Sequence, residues 1–236
     1  RLPTSDVPYV VDGNHRLAFA AALDLPISAV VLEPDDAFRN YSKVPGFYGT
    51  DNKSMPYQSI TLNCQEVVAG RRCDLADRLA MVPEDCIAER RILDIACNVG
   101  MSSLLACSRG AKSSLGLEIS PKMVDLASRF AMFSGAYPTV RYQRFDVDEQ
   151  DLGAETFDTA FMFSIHKHLK KPQNLARIVE LNVTGCVIFE AHPRGKRADY
   201  SDILDAGLFS SVTELGRLHT SRFKQDSSRA LWLCRK

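Results

Sequence analysis

The sequence predicts an α/β protein, with a seven-stranded, mostly parallel sheet and a small α/β unit ahead of it. From residue 91 onward, short apolar runs bounded by turn residues alternate with helical patterns. This alternation is typical of strands joined by helical crossovers in a parallel sheet. The last two runs, 209–215 and 230–234, have no helical pattern between them, so we expect an antiparallel hairpin at the sheet edge. A length of 236 residues allows one large domain, or one domain and a small one.

Composition argues against two classes of partner. The 29 basic and 29 acidic residues balance to a net charge of zero, which disfavours strong nonspecific binding to a phosphate backbone. The seven cysteines are odd in number and form no C-x-x-C pair, so we expect reduced thiols and a cytoplasmic setting. No apolar run reaches the 18 residues of a membrane span, and we expect no membrane partner.

The stretch 91–120 carries the strongest functional pattern. A buried strand is predicted at 92–95 and another at 115–117, with a turn and a helix between them. Asp94 lies in the first strand and Glu118 ends the second. Small residues in such a turn let a ligand approach the backbone closely, and an acid after the second strand can accept hydrogen bonds from a ribose diol. The G-x-G-x-x-G pattern of nicotinamide-binding proteins is absent.

The turn resembles a known motif. The run Asp94-Ile-Ala96-Cys97-Asn98-Val-Gly100 is similar to the first motif, (D/E)-x-G-x-G-x-G, of class I S-adenosylmethionine-dependent methyltransferases, with Ala96 in place of the first glycine. The resemblance covers the predicted domain 63–236. It implies a Rossmann-like methyltransferase sheet, S-adenosylmethionine as cofactor and S-adenosylhomocysteine as product.

The resemblance also implies a set of cofactor contacts. The ribose hydroxyls would be held by Glu118, and the adenine amino group would lie near Asp146, which follows a predicted strand at 139–145. For Asp146, a turn aspartate that caps its own loop is the alternative. The residues that the resemblance places on the cofactor along these strands are Asp94, Ala96, Asn98, Gly100, Glu118, Ile119, Asp146, Val147 and Ser164.

The segment ahead of this domain is predicted to reach the cofactor as well. Residues 64–88 are predicted to be helical, and Arg78 would pair with the cofactor carboxylate; a solvated surface arginine is the alternative. Residues 37–62 are rich in proline, glycine and aromatics, which predicts either an active-site lid or a linker packed on the core. At their end, Pro56-Tyr57-Gln58-Ser59-Ile60 resembles an element before some methyltransferase cores. We therefore expect Tyr57 or Gln58 to face cofactor or substrate.

Catalytic candidates follow the next two predicted strands, 157–164 and 185–191. Ligands gather outside the carboxyl ends of parallel strands, so His166 and His168 are candidates for a general base or a substrate clamp; capping of the next helix is the alternative. Glu190 and His192 would point into the same cleft. These four side chains could form an acid–base pair. No compact ligand spacing is present, so no metal site is predicted.

Residues 1–36 form a separate predicted unit. The run Asp12-Gly13-Asn14-His15-Arg16 is similar to the D-G-x-H-R-x-x-A box of the ParB/sulfiredoxin-like superfamily. In that superfamily the box often binds nucleotide phosphates, which fits backbone amides and Arg16 at a helix start. The alternative is a truncated unit, or a docking unit that has lost its ligand site.

The function predicted from these residues is methyl transfer to an oxygen or nitrogen nucleophile of a small molecule. The (D/N/S)-P-P-(Y/F/W) signature of DNA-modifying relatives is absent, as is any long basic tract. One alternative is an RNA- or tRNA-modifying methyltransferase that uses the ParB-like unit and the aromatic loop to bind RNA. Another is a non-catalytic protein that senses S-adenosylmethionine or a nucleotide. A third is nucleotide chemistry at residues 12–16.

Overall fold

The computed structural model describes residues 57–62, 65–193, 195–219 and 228–236, together with residues 20, 22 and 23. The ParB-like box and all of the aromatic segment before Tyr57 lie outside these ranges. The predictions made for them stay predictions.

A seven-stranded sheet forms the centre of the fold. The strands are β3 (Arg91–Ile95), β4 (Ser113–Glu118), β5 (Val140–Arg144), β6 (Phe157–Phe163), β7 (Val183–Glu190), β8 (Ser211–His219) and β9 (Ser228–Arg235). Their order in the sheet is β5-β4-β3-β6-β7-β9-β8. Strands β3 to β7 all pair in parallel, whereas β9 is antiparallel to both β7 and β8. The predicted fold class and the edge hairpin are confirmed.

Helices cover both faces of the sheet. The helices are α1 (Leu75–Ala80), α2 (Met101–Ser108), α3 (Pro121–Phe133), α4 (Gln173–Asn182) and α5 (Ser201–Leu204), with 3-10 turns at Glu84–Cys86, His166–His168 and Arg197–Tyr200. One buried cluster contains residues of α1, α2 and α3, and a second contains residues of α4 and α5. Adjacent residues of β3 enter opposite clusters, Ile92 the first and Leu93 the second, because successive side chains of a strand point to opposite faces.

Helix α3 shows how local sequence sets an element. The Ser120 hydroxyl accepts a hydrogen bond from the Met123 amide, and Pro121 occupies the first turn, where its fixed φ is tolerated. Leu126 and Phe130 of this helix are buried in the first cluster.

The predicted helix over residues 64–88 is wrong. The structure has a short hairpin there, β1 (Ile60–Leu62) with β2 (Gln65–Val68), followed by the six-residue α1 and a 3-10 turn. A Cβ at Gly70 would lie 2.2 Å from the backbone carbon of Gln58, so close backbone packing occupies this position. Pro83 directly precedes the 3-10 turn, and a proline favours an extended conformation in the residue before it, which ends a helix.

One later boundary also differs from the sequence-based expectation. The strand expected at 209–215 is β8 at Ser211–His219. Element ends are the least certain part of a pattern-based prediction, and the order of the elements is unaffected.

Candidate active site

The loop after β3 turns sharply at three residues. Ala96, Asn98 and Gly100 all have positive φ, at 59°, 53° and 75°. This left-handed region suits glycine and is tolerated by asparagine. Ala96 adopts it at an energetic cost, because its Cβ is crowded by the backbone. The three turns bring the loop from the end of β3 to the start of α2, whose first amide groups have no partner within the helix itself.

Glu118, the last residue of β4, ties this loop to the next one. Its Oε2 accepts a hydrogen bond from the Asn98 amide at 3.0 Å, and its Oε1 accepts one from the Ser120 amide at 3.0 Å. The carboxylate is therefore held by backbone on two sides, with further lone pairs available. Beside it, the Ile119 side chain is 56% exposed, which leaves an apolar surface next to the acid.

Tyr142 of β5 supports the loop from behind. Its hydroxyl donates to the Gly100 carbonyl at 2.7 Å. A Cβ at either Gly100 or Gly116 would lie 2.4 Å from atoms of the Tyr142 ring, so only glycine fits at both positions. The sequence analysis missed Tyr142, because its contacts lie 26 and 42 residues away along the chain.

A cleft lies at the carboxyl edge of the sheet, between this loop and the segment before α1. Its volume is about 340 Å³, which includes space open to solvent. Its lining residues are Tyr57, Gln58, Arg72, Arg78, Asp94, Ala96, Cys97, Asn98, Ser102 and Phe163. Six of the predicted cofactor residues are brought together here: Tyr57, Gln58, Arg78, Asp94, Ala96 and Asn98. Arg72, Cys97, Ser102 and Phe163 were not predicted.

Asp94 is a buried acid in this cleft. Its Oδ2 accepts a hydrogen bond from the Ser103 hydroxyl at 2.9 Å. Burial disfavours the ionised form and raises the pKa of Asp94 to about 7, against the hydrogen bond from Ser103 and the charge of Arg78, which act in the opposite direction. Asp94 therefore titrates near neutral pH.

Two arginines that line the cleft, Arg72 and Arg78, share two buried carboxylates. Arg72 donates to Asp74 at 3.0 Å and to both oxygens of Glu190 at 2.9 and 3.0 Å. Arg78 donates to Asp74 at 2.7 Å, and its Nε lies 2.6 Å from Oε2 of Glu190 as an ion-pair contact without hydrogen-bond alignment. The Arg78 guanidinium also lies over the Phe163 ring, 4.7 Å from its centroid.

The charges within this cluster stabilise one another. Burial acts against ionisation of Asp74 and Glu190, yet the adjacent Arg78 and Arg72 hold the pKa of each carboxyl below its usual value. Burial likewise opposes the charge on Arg72, but Glu190 and Asp74 raise its pKa overall. All four side chains are almost completely buried, so removing one partner would leave an uncompensated charge.

The segment before α1 is attached to Arg72 by its backbone. The Arg72 amide donates to the Tyr57 carbonyl, and the Ser59 amide donates to the Arg72 carbonyl, each at 2.8 Å. The Gly70 amide donates to the Ser59 hydroxyl at 2.9 Å. These backbone hydrogen bonds hold Tyr57 and Gln58 beside Arg72, and all three residues line the cleft.

The predicted histidines divide into two groups. His166 is buried beside Tyr200, and its Nε2 contacts the Asp202 carboxylate at 2.8 Å. Its Nδ1 has no hydrogen-bond partner in the described part of the chain. His168 is exposed, and its ring centroid lies 4.9 Å from that of His192.

His192 is neutral at physiological pH. Its Nε2 accepts a hydrogen bond from the Lys167 amide at 3.3 Å. Burial, followed by the nearby His168 and Arg229, lowers the pKa of His192 to about 4. The structure thus brings His168 and His192 together at the carboxyl ends of β6 and β7, apart from the His166–Asp202 pair.

The remaining predicted positions lie at the same edge in different settings. Asp146 accepts a hydrogen bond from the Asp148 amide at 2.9 Å and thus closes its own turn, while Val147 is buried in the core. Ser164 has a φ of 59°, and its hydroxyl lies 2.6 Å from Oε1 of Glu190. Glu190 does not line the cleft.

No three His, Cys, Asp or Glu side chains in the described ranges are arranged to hold a metal ion. In the same ranges, no helix has the length and apolar character needed to cross a membrane.

A family of known sequences and several solved structures are similar to this chain. Residues 92–182 match the family described as "Methyltransferase domain". The bifunctional kinase-methyltransferase WbdD is similar in structure, with a TM-score of 0.61 and 18% identity over 78% of this chain and 44% of its own. The N-terminal domain of EvdMO1 with SAH bound has a TM-score of 0.59 and 16% identity over 84% of this chain and 95% of that one.

A third similar structure is an S-adenosylmethionine-dependent methyltransferase from Mesorhizobium loti, with a TM-score of 0.52 and 19% identity over 69% of this chain and 97% of that one. No curated protein is significantly similar to this chain in sequence. The chain spans less than half the length of WbdD.

The matched domain and the fold agree on one class of protein. Residues 92–182 match a methyltransferase domain, and the described fold is the Rossmann-like sheet of the S-adenosylmethionine-dependent methyltransferases that it resembles in structure; together they support an S-adenosylmethionine-dependent methyltransferase with S-adenosylmethionine as its cofactor. The predicted enzyme class, fold and cofactor are confirmed at this level. The ParB-like segment, the acceptor and the individual site residues stay predictions.

Proposed function

We propose that the protein transfers the methyl group of S-adenosylmethionine to an oxygen or nitrogen nucleophile of a small molecule. The observation that carries the proposal is a cleft lined both by Asn98, whose amide is bound by the Glu118 carboxylate, and by two buried arginines, Arg72 and Arg78. A ribose beside Glu118 and an amino-acid group beside the arginines would belong to one molecule.

The nucleoside half fits the loops after β3, β4 and β5. The remaining lone pairs of Glu118 can accept hydrogen bonds from the ribose hydroxyls. The exposed Ile119 side chain can pack against the adenine ring. Asp146 and Val147, at the end of β5, would lie near its edge. The glycine at position 100 leaves room for the Tyr142 ring, which supports the loop from behind.

The methionine half fits the cleft that Asp94, Arg72 and Arg78 line. The carboxylate of the cofactor would pair with the guanidinium groups, whose planar donors suit a carboxylate. Its ammonium group would lie near Asp94, and binding would favour the ionised acid. Ser164 and Phe163 end β6 at the same edge, which is where ligands gather in parallel sheets.

The cofactor, when bound, supplies an electrophilic methyl group on a sulfonium, so the protein has mainly to align the acceptor and exclude water. The acceptor would enter beside His168 and His192. The exposed His168 is the preferred general base for a hydroxyl or ammonium acceptor. The low pKa of His192 makes that residue a hydrogen-bonding clamp, and His166 would orient the 3-10 turn through Asp202.

The proposal is tested by product identification. Purified protein is incubated with a metabolite extract and S-adenosylmethionine labelled in its methyl group, and products are analysed by mass spectrometry. We expect one labelled methyl on a small molecule. Labelling of an RNA pool instead would indicate the RNA-modifying alternative. S-Adenosylhomocysteine binding by calorimetry without product in either pool would indicate a cofactor sensor.

A further inference from the structure

Glu190 is the most completely enclosed charge near the cleft. It ends β7, its side chain is 1% exposed, and it does not line the cleft. Both of its oxygens contact cationic groups: Arg72 reaches each, Arg78 lies against Oε2, and Arg229 lies 3.4 Å from Oε1. The Ser164 hydroxyl donates a further hydrogen bond.

These contacts are incompatible with a role in proton transfer. A carboxylate that accepts several charge-assisted hydrogen bonds is strongly favoured in its ionised form. The guanidinium groups that surround it lower its basicity further. Glu190 also lies behind Arg72 and Arg78 as seen from the cleft, since these two arginines line the cleft and Glu190 does not.

The same contacts explain how two buried arginines can stay side by side. Two guanidinium groups repel each other unless carboxylates lie between them. Asp74 and Glu190 each contact both arginines. Glu190 comes from β7 and Asp74 from the start of α1, so the pair joins the segment before α1 to the central sheet. Glu190 thus sets the position of both arginines relative to the strand ends.

We infer that Glu190 is a positioning residue that holds Arg72 and Arg78 where they receive the carboxylate of the cofactor. This inference rests on the proposed placement of the methionine half. Its consequence is selective: loss of Glu190 weakens binding of ligands that carry the amino-acid group and spares ligands that consist of the nucleoside alone.

The test compares two ligands by calorimetry on the full chain. S-Adenosylhomocysteine carries the amino-acid group, whereas 5′-methylthioadenosine lacks it. For Glu190→Gln we expect the S-adenosylhomocysteine affinity to fall at least tenfold and the 5′-methylthioadenosine affinity to change less than threefold. Glu190→Asp should recover part of the loss. Glu214→Gln, an exposed carboxylate on β8 paired with Arg217, serves as the matched control.

Removal of a buried charge can also unfold a protein. A double variant is therefore measured beside the two single variants. Arg72→Gln with Glu190→Gln keeps the net charge of the cluster. Because Glu190 acts through Arg72, the double variant should lose much less S-adenosylhomocysteine affinity than the two single losses combined. Thermal unfolding of each variant identifies those that are folded.

Three outcomes overturn the inference or the proposal beneath it, and they are distinct. Equal losses for both ligands in Glu190→Gln would indicate a general structural role. An unchanged S-adenosylhomocysteine affinity with a large fall in kcat would indicate a catalytic group. If the unaltered protein binds 5′-methylthioadenosine as tightly as S-adenosylhomocysteine, the proposed placement of the methionine half fails, whatever Glu190 does.

Discussion

Replacement of Glu118 by glutamine tests the centre of the cofactor site with a change of one atom. In the structure, each carboxylate oxygen of Glu118 accepts a hydrogen bond from a backbone amide, one from Asn98 and one from Ser120. A glutamine has one oxygen and one NH₂ group, so one of the two amides must face another donor. The ribose would also lose a charged acceptor.

The magnitude follows from these contacts. A buried donor left without its acceptor costs about 1–3 kcal/mol, and a hydrogen bond to a charged group contributes about 1.5–3 kcal/mol. Part of the first cost is relieved by water in a site that is open to solvent. We therefore expect the binding free energy of S-adenosylhomocysteine to weaken by about 2–4 kcal/mol, which is about 30- to 1000-fold in affinity.

The assay is calorimetric titration of Glu118→Gln with S-adenosylhomocysteine, beside Glu214→Gln as a control that removes an exposed carboxylate at the far edge of the sheet. Thermal unfolding without ligand reports any change in the loops themselves. An affinity of Glu118→Gln within threefold of the unaltered protein would refute the reasoning, because the carboxylate could then hold neither the loops nor the ribose.

Three further predictions concern the loop after β3 and its support. Ala96→Gly should keep or raise the free energy of unfolding, by up to about 1 kcal/mol in urea titration, because glycine relieves the left-handed backbone but has more freedom when unfolded; a clear loss would contradict this. Tyr142→Phe should lower the free energy of unfolding by about 1 kcal/mol, since the hydrogen bond to the Gly100 carbonyl is lost, and should weaken S-adenosylhomocysteine binding; equal stability and affinity would show that the loop is held without it. The raised pKa of Asp94 lies at about 7, so the folded state binds more protons than the unfolded chain between about pH 4 and pH 7. The free energy of unfolding therefore falls as the pH rises through that window. Asp94→Asn should therefore gain in thermal stability relative to the unaltered protein from pH 4 to pH 8. The affinity for S-adenosylhomocysteine, which should rise through pH 7 in the unaltered protein, should become flat in this variant.

Local patterns were sufficient for the central unit of the fold. The apolar runs of β3 and β4, the small residues between them and the acid at position 118 are neighbours in sequence, and their periodicity reports burial directly. The antiparallel pairing of β8 and β9 followed from the missing helix between them. Six predicted cofactor residues meet in one cleft: Asp94, Ala96 and Asn98 are neighbours in sequence at the carboxyl end of β3, whereas Tyr57, Gln58 and Arg78 come from the region before β3.

Residues 64–88 show where pattern reasoning fails. Apolar and charged residues at helical spacing led to a helix prediction, but Gly70 packs its backbone against Gln58, and β2 pairs with β1. Both contacts involve partners outside the predicted helix. Tertiary packing therefore outweighed a weak local propensity.

Local sequence features were enough to predict the order of strands and helices after residue 91, the strand–turn–helix unit around Asp94 and the acid at Glu118, because short-range sterics and burial dictate them. The roles of side chains that meet across the chain become visible only in the folded molecule. Glu190 contacts Arg72 across 118 residues and Tyr142 supports Gly100 across 42. Such pairings depend on how the sheet and its loops close in space, and no periodicity encodes them.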